Sequence, residues 1–194
     1  MLRRREISIW LLVVASFIVL IVLVGGLTRL TQSGLSIVEW NLVTGIFPPL
    51  SEESWNIEFD KYKTSPEFKV LNSDISFSDF KTIYFWEYFH RLLARLVGLV
   101  AIIPLLYFFI KNKINKYELR NFLIIPLLIL IQGVIGWMMV KSGLNMKTYN
   151  GIGVSHYWLS LHLFLALTTY SIVVWQYLCI QDPLKSVNRN KMNY

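Results

Sequence analysis

Three ionisable residues lie inside long apolar stretches of the chain. Glu87 and His90 are about one helical turn apart in one stretch, and His162 lies in another. Ionisable side chains within membrane segments are costly and usually serve a function. Because imidazole nitrogens are common ligands of haem iron, His90 and His162 predict a haem bound between two histidines. Each histidine taken alone is also compatible with a hydrogen bond between helices.

The composition predicts an integral membrane protein. Hydrophobic residues make up 55% of the 194 positions and charged residues only 16%, against about a quarter in soluble domains. Four apolar stretches exceed the roughly 20 residues that a membrane helix needs. We therefore expect an all-α fold, a bundle of four transmembrane helices in a single membrane domain over 1–194. The helices are predicted at about 7–27, 83–110, 119–140 and 155–180, with a long outer loop at 28–82 between the first two.

Charge and cysteine content exclude several other classes of protein. The net charge of +7 reflects loop asymmetry, and no basic face with interleaved aromatics is evident, so no nucleic-acid partner is expected. Cys179 is the only cysteine, which excludes a disulfide framework and a thiolate metal cluster. The segment 7–27 is too long for the apolar region of a signal peptide, so we expect a retained helix.

Loop charges predict the orientation in the lipid bilayer. Segments 1–6, 111–120 and 181–194 hold ten of the nineteen Lys and Arg, whereas 28–82 and 141–154 hold seven in more than twice as many positions. By the positive-inside rule, both termini are cytoplasmic. No transit peptide is evident, which favours the bacterial inner membrane, with the mitochondrial inner membrane as the alternative.

The outer segment 28–82 is rich in aromatic residues and holds eight acidic residues. Disordered linkers are poor in aromatics. We therefore expect an ordered lid of short amphipathic helices on the outer surface. The alternative is a loop that its aromatic side chains anchor at the membrane interface.

The predicted helices place both histidines at a similar depth. His90 lies about nine residues from the outer end of its helix and His162 about seven, or roughly 13 and 10 Å. Their two helices run in the same direction and are neighbours or diagonal partners in a bundle, whose core commonly holds cofactors. Small residues beside the histidines leave room for a porphyrin or serve close helix packing. These residues are Ala94, Gly98, Ala101, Gly133, Gly136 and Ala166.

Glu87 shares a helical face with His90 and Arg91. It is compatible with an intrahelical ion pair to Arg91. It is also compatible with a carboxylate that stabilises positive charge or exchanges protons with a reacting group. Arg91 and Arg95 lie along one ridge and suit either haem propionates or ordinary counter-charges near the helix end. His156, at the start of the last helix, is expected to lie at the interface.

Four ordered stretches carry a family resemblance. They are GGLTRLTQSGLSIVEW at 25–40 (followed by Pro48-Pro49), FWEYFHR at 85–91, QGVIGWMMVKSG at 132–143 and VSHYWLSLHL at 154–163. Together they resemble heme A synthase, in its alphaproteobacterial and mitochondrial branch. The resemblance implies oxidation of the C8 methyl group of heme O to a formyl group, which gives heme A for cytochrome oxidase. It further implies heme O synthase as a partner.

The resemblance also implies roles for individual residues. His90 and His162 are expected to be the two axial ligands of the haem iron in a substrate-handling half. Glu87 is expected to be a catalytic acidic residue beside them, through electrostatic stabilisation or proton transfer. Trp158 stands where the family pattern has arginine, which weakens one propionate contact.

The resemblance covers the N-terminal half of the family's fold. Family members have eight membrane helices in two pseudo-repeated halves, and the second half carries its own histidine pair and a heme b. We therefore expect heme b in a second half or in a partner chain. Three arrangements remain open: a separate second-half chain, a homodimer, or a truncated product without activity of its own.

Two other functions remain compatible with the residues. One is a bis-histidine membrane cytochrome of the b type that only transfers electrons. The other is a non-catalytic assembly factor for cytochrome oxidase. The ordered motif in the outer loop favours the enzyme over both, because a simple electron carrier needs no lid.

Overall fold

The computed structural model describes residues 2–41, 43–144 and 153–181, and all regular secondary structure in these ranges is helical. Four helical spans, Arg4–Leu30, Phe77–Ile110, Lys116–Leu144 and His156–Gln181, are long and apolar enough to cross a membrane. The predicted all-α membrane fold is therefore confirmed. In chain order the helices are α1 (Leu2–Leu30), α2 (Glu52–Lys63), α3 (Pro66–Leu71), α4 (Phe77–Ile110), α5 (Lys116–Phe122), α6 (Ile124–Leu144) and α7 (His156–Gln181).

The ends of the helices follow local hydrogen bonding more than hydropathy. Helix α4 begins at Phe77 rather than at 83, because the hydroxyl of Ser76 accepts a hydrogen bond of 3.1 Å from the backbone N–H of Asp79. The third span is divided into α5 and α6 just before Pro126, which lacks the N–H that would bond to the carbonyl of Phe122. Capping and proline chemistry thus explain the start of α4 and the break between α5 and α6.

The four long helices form a bundle in which α1 packs against α4 and α7, while α6 packs against α7 and α4. Helices α4 and α7 therefore lie diagonally across the bundle. An apolar core along the N-terminal half of α1 holds this helix against α4 and α5. At its centre, the indole N–H of Trp10 donates a hydrogen bond of 2.9 Å to the carbonyl of Val100, and its ring meets Phe108 and Phe122 edge-on.

The segment between α1 and α4 folds into the short helices α2 and α3, as expected. We refer to residues 31–76 as the lid. Aromatic side chains attach the lid to the N-terminal end of α4: the ring centroid of Trp55 lies 4.9 Å from that of Tyr84, and Tyr62 stacks on Phe80 at 5.3 Å. Helix α3 also contacts α6. The lid therefore reaches across one end of the bundle.

Candidate haem-binding site

His90 and His162 lie on the two diagonal helices, α4 and α7. In each ring Nδ1 is buried and has no hydrogen-bond partner within the described part of the chain. Nε2 is not buried in this way in either ring, so it is the nitrogen that remains accessible to a ligand. The hydrogen bond between helices that was the alternative explanation for a lone histidine is therefore not observed in residues 2–41, 43–144 and 153–181.

Each imidazole lies against a glycine of a neighbouring helix. A Cβ atom added to Gly25 of α1 would lie 2.9 Å from Cε1 of His90. A Cβ atom added to Gly136 of α6 would lie 3.1 Å from Cε1 of His162. Real Cβ contacts are rarely this short, so glycine permits an approach that a larger residue would disturb. Of the small residues noted in the sequence, Gly136 is therefore explained by contact with a histidine ring, and Gly25 has the same relationship to His90.

Glu87 is buried, with 2% of its surface exposed, and its carboxylate is shared between the lid and α4. Its Oε2 accepts hydrogen bonds of 2.8 Å from the hydroxyl of Ser36 and 2.8 Å from the backbone N–H of Ile37. Its Oε1 accepts from Nη2 of Arg91 at 2.6 Å and from Nε at 3.1 Å. The intrahelical ion pair is thus present, and the lid supplies two further donors that the sequence did not indicate.

Arg91 and Arg95 bind backbone carbonyls of the lid. Arg91 donates from Nη1 to the carbonyl of Glu39 and from Nη2 to that of Ile37, both at 2.8 Å. Arg95 donates from Nη2 to the carbonyl of Asn41 at 2.8 Å. With its two bonds to Glu87, Arg91 makes four hydrogen bonds, and a guanidinium has five N–H groups. At most one N–H of Arg91 is then left for a haem propionate.

Gln132 contacts the helix that carries His162. Its Nε2 donates a hydrogen bond of 2.6 Å from α6 to the backbone carbonyl of His162, and its Oε1 is buried without a partner among the described residues. Gly136 follows one helical turn later on α6. One face of α6 therefore contacts both the backbone and the ring of His162. The sequence showed Gln132 as a polar group in an apolar helix but did not indicate its partner.

The lid contains a buried carboxyl group, Glu67, that the sequence did not single out. Only 5% of its surface is exposed. The hydroxyl of Tyr62 donates a hydrogen bond of 3.2 Å to its Oε1, and the side-chain amide of Asn72 donates to the Tyr62 oxygen at 2.7 Å. Burial raises the pKa of Glu67 to about 7, although the hydrogen bond from Tyr62 acts to lower it. Glu67 is therefore a titratable group within the neutral range.

The donor set fits a haem better than a metal ion without a porphyrin. Two imidazoles on diagonal helices match the pair of ligands that a bis-histidine haem takes from a protein. A Cβ atom at Gly25 or Gly136 would require the neighbouring imidazole to move. Within residues 2–41, 43–144 and 153–181, no group of three or more His, Cys, Asp or Glu is placed to hold a metal ion.

Fold and site together define an all-α, multi-pass membrane protein with a candidate bis-histidine site. The family model described as "Cytochrome oxidase assembly protein" matches residues 8–193. A protein named "Heme A synthase" from Ehrlichia canis (strain Jake) is 54% identical over 173 residues, which cover 89% of this chain and 49% of that protein. Another of the same name from Flavobacterium psychrophilum is 46% identical over 187 residues, covering 95% of this chain and 54% of that protein.

A third relative extends the similarity to a eukaryote. The "Heme A synthase-mitochondrial ferredoxin fusion protein" of Schizosaccharomyces pombe is 44% identical over 174 residues, which cover 88% of this chain and 28% of that protein. No solved structure matches. The chain belongs to the heme A synthase family, as the four sequence stretches predicted. It spans about half the length of the two bacterial relatives.

Proposed function

We propose that this chain binds haem in the membrane and serves heme A synthesis, the oxidation of the C8 methyl group of heme O to a formyl group. The proposal rests on two imidazoles that lie on diagonal helices. Each of them packs against a glycine of a neighbouring helix and has an accessible Nε2. Membership of the heme A synthase family supplies the reaction. A bound iron porphyrin supplies the redox chemistry, while the protein positions and tunes it.

The proposed roles follow from where each side chain lies. His90 and His162 hold the iron through Nε2. Glu87 is the proposed catalytic residue: its carboxylate lies one helical turn from His90 and stabilises positive charge at the reacting methyl group or accepts a proton there. Arg91 and Arg95 hold the lid over this turn. Propionate binding by these arginines is the weaker assignment, because the lid carbonyls already take up most of the donors of Arg91.

We further propose that a second four-helix unit completes the enzyme and carries a heme b. It is either a further part of a longer chain, a separate chain or a second copy. The proposal is supported by the coverage of about half of each bacterial relative. Heme O synthase supplies the substrate. The ferredoxin in the fused relative suggests an iron–sulfur protein as electron donor for this chain as well.

The loop charges support an orientation with both termini in the cytoplasm of a bacterial cell, or in the mitochondrial matrix. The histidines and the lid then belong to the outer half of the membrane. A fluorescent or enzymatic reporter fused to either terminus tests this placement, since activity on the outer side contradicts it.

The deciding experiment is to express the chain in bacterial membranes that make heme O and lack a heme A synthase of their own. The chain is purified in detergent, and its haem is extracted and identified by chromatography and mass spectrometry. Heme A or its hydroxylated precursor supports the synthase. A double variant, His90→Ala with His162→Ala, serves as the control for adventitious haem.

The other outcomes separate the alternatives. Stoichiometric haem with an unchanged C8 substituent and a reversible redox couple indicates an electron-transfer cytochrome or a half that requires its second unit. Adding that second unit from a relative distinguishes these two cases, because only the synthase half then forms heme A. A colourless protein contradicts the ligand assignment and favours a non-catalytic assembly factor.

A further inference from the structure

We propose that Gly25 and Gly136 are positioning residues that fix the orientation of the two haem-ligand imidazoles by steric contact. This inference rests on the proposed haem-binding function and deepens it. It concerns what fixes the orientation of the imidazole rings of His90 and His162.

The first observation is the missing hydrogen bond at Nδ1. Histidines that ligate metals almost always donate the other ring N–H to a carboxylate, a carbonyl or water, and this bond sets the ring orientation. Within the described residues, Nδ1 of His90 and Nδ1 of His162 are both buried without such a partner. No protein group among the described residues therefore sets the orientation of either ring through Nδ1.

The second observation is a close contact between each ring and a glycine of the neighbouring helix. The position of a Cβ on Gly25 lies 2.9 Å from Cε1, 3.3 Å from Nδ1 and 3.8 Å from Nε2 of His90. The three nearest atoms all belong to the imidazole, so the ring packs against α1 with Cε1, the atom between its two nitrogens, closest to the glycine. This contact blocks rotation of the ring toward α1.

The same relationship recurs on a different pair of helices. The position of a Cβ on Gly136 lies 3.1 Å from Cε1, 3.7 Å from Nδ1 and 3.8 Å from Nε2 of His162. Cε1 is again the nearest atom, and the two ring nitrogens lie at nearly equal distances behind it. Gln132, one turn earlier on α6, binds the backbone carbonyl of His162 and fixes the register of the two helices. Helix α6 thus holds this ring as α1 holds the other.

Neighbouring glycines show that the contact is specific. A Cβ added to Gly26 or to Gly133 would have nothing within 4 Å. Gly26 follows Gly25 directly, and Gly133 precedes Gly136 by about one turn on the same helix. Helix packing alone therefore does not account for glycine at 25 and 136. These neighbours provide matched controls, because the same Gly→Ala change there alters helix propensity without touching a histidine.

The expected effect is a displaced ring in a folded protein. An imidazole is the end of a side chain with two rotatable bonds, so it turns aside more readily than either helix moves. Gly25→Ala, at 2.9 Å, has to displace His90, whereas Gly136→Ala, at 3.1 Å, requires a smaller adjustment of His162. Loss of the groups that orient a metal ligand typically lowers affinity about 10- to 100-fold. We expect haem affinity to fall in that range for Gly25→Ala and less for Gly136→Ala.

The experiment compares the four Gly→Ala variants of the full chain in detergent. Haem affinity is measured by titration with ferric haem, and the EPR spectrum of the bound form reports the relative orientation of the two imidazoles. The apo protein is examined separately by NMR with ring-labelled histidine, since the chain has only three histidines. Circular dichroism verifies that each variant keeps its helices.

The inference predicts that Gly25→Ala shifts the NMR signal of His90 and Gly136→Ala that of His162, while Gly26→Ala and Gly133→Ala shift neither. It is overturned if the signals and the haem affinities of Gly25→Ala and Gly136→Ala match those of their controls. If Gly25→Ala fails to fold, the comparison of Gly136→Ala with Gly133→Ala decides. A wild-type chain that binds no haem contradicts the proposed function instead, and the apo NMR comparison still tests the ring contacts.

Discussion

The carboxylate of Glu87 accepts a hydrogen bond of 2.8 Å from the backbone N–H of Ile37, although 50 residues separate the two in the chain. The other oxygen of the same carboxylate pairs with Arg91, which in turn donates to the carbonyl of Ile37. A single buried ion pair therefore binds both the N–H and the C=O of one lid residue. Because His90 lies one turn from Glu87 on α4, the lid and the candidate haem ligand are attached to the same short stretch of helix.

Replacement of Glu87 by glutamine is expected to loosen the lid without unfolding the bundle. The side chains of Arg91 and Glu87 are only 12% and 3% exposed, and glutamine leaves the guanidinium without a counter-charge. Removing one partner of a buried pair costs about 3–5 kcal/mol, and the retained carbonyl contacts of Arg91 are expected to bring this toward about 2 kcal/mol. Hydrogen exchange at the Ile37 amide measures the change.

Glu39→Gln is the matched control for this change. Its carboxylate is 49% exposed and pairs with Lys61 at the surface, where such pairs contribute about 0–1 kcal/mol. The Ile37 amide should therefore exchange at close to the wild-type rate in Glu39→Gln. Equal protection in the two variants would show that the Glu87 ion pair does not hold the lid.

Removal of the proposed iron ligands should lower haem content. His90→Ala and His162→Ala each remove an imidazole that makes no hydrogen bond within the described part of the chain, so no hydrogen bond is lost with it. We expect the purified variants to retain helicity and to lose most of their haem, measured as haem per chain. His156→Ala is the control, because His156 lies at the start of α7. If His156→Ala alone lost its haem, His156 would be the iron ligand in place of His90 and His162.

Glu87→Ala separates chemistry from binding. If Glu87 acts on the reacting methyl group, the variant keeps its haem but forms no formyl product, since the imidazoles remain and the charge is lost. Product is identified in extracted haem after expression with heme O. A normal yield of heme A from this variant would disprove the catalytic role and leave Glu87 as an anchor of the lid.

The fold could be predicted from the sequence because it follows mainly from one physical requirement. A stretch of about 20 apolar residues must cross the bilayer as a helix, and the spans that contain His90 and His162 followed directly. The start of α4 at Phe77 could not be predicted in this way, since it depends on a single hydrogen bond that the Ser76 hydroxyl accepts. Hydropathy averages over a window and does not register one hydroxyl group.

The site was only partly accessible from sequence. The histidines stood out because an ionisable residue in an apolar stretch is unusual. The lid partners of Arg91 and Arg95 did not, because they are backbone carbonyls more than 50 residues away, and a carbonyl has no sequence signature. The contact of Gly25 with His90 was hidden for a similar reason: glycine is also compatible with ordinary helix packing.

The buried carboxyl group of Glu67 predicts a lid that weakens as pH rises. Its pKa is raised to about 7 in the folded protein, from an ordinary value of 4.5, mainly by burial. Below pH 4.5 the group is protonated in both states and its contribution to stability is complete. Between 4.5 and 7 the unfolded form ionises while the folded form does not, so stability falls, and above 7 it is constant.

The other groups that act on Glu67 shape the same curve. Tyr62 donates a hydrogen bond to it, the charge of Glu87 raises its pKa and the charge of Arg29 lowers it. Glu67→Gln should remove the pH dependence of the hydrogen-exchange protection factors in α3 between pH 4.5 and 7, whereas Glu53→Gln, at an exposed position, should retain it. If the pH dependence persists in Glu67→Gln, another titratable group causes it.

Gly143→Ala should weaken the packing of the lid residues around Leu35 against α6. A Cβ at Gly143 would lie 2.7 Å from Cδ1 and 2.8 Å from Cδ2 of Leu35, a side chain that is 1% exposed. It would also lie 3.1 Å from the backbone of Gly153, which cannot turn aside. Overpacking of this kind costs about 1–3 kcal/mol. Limited proteolysis within 31–41 measures the loss.

Two further variants decide whether the collision with Leu35 is the cause. Gly133→Ala lies on the same helix with nothing within 4 Å, so its lid should resist proteolysis as the wild type does. Leu35→Ala alone leaves a cavity that costs about 2–5 kcal/mol. In the double variant the new methyl group occupies part of that cavity, so the combined loss should be smaller than the sum of the two single losses. Strict additivity would mean that Leu35 and Gly143 do not pack together.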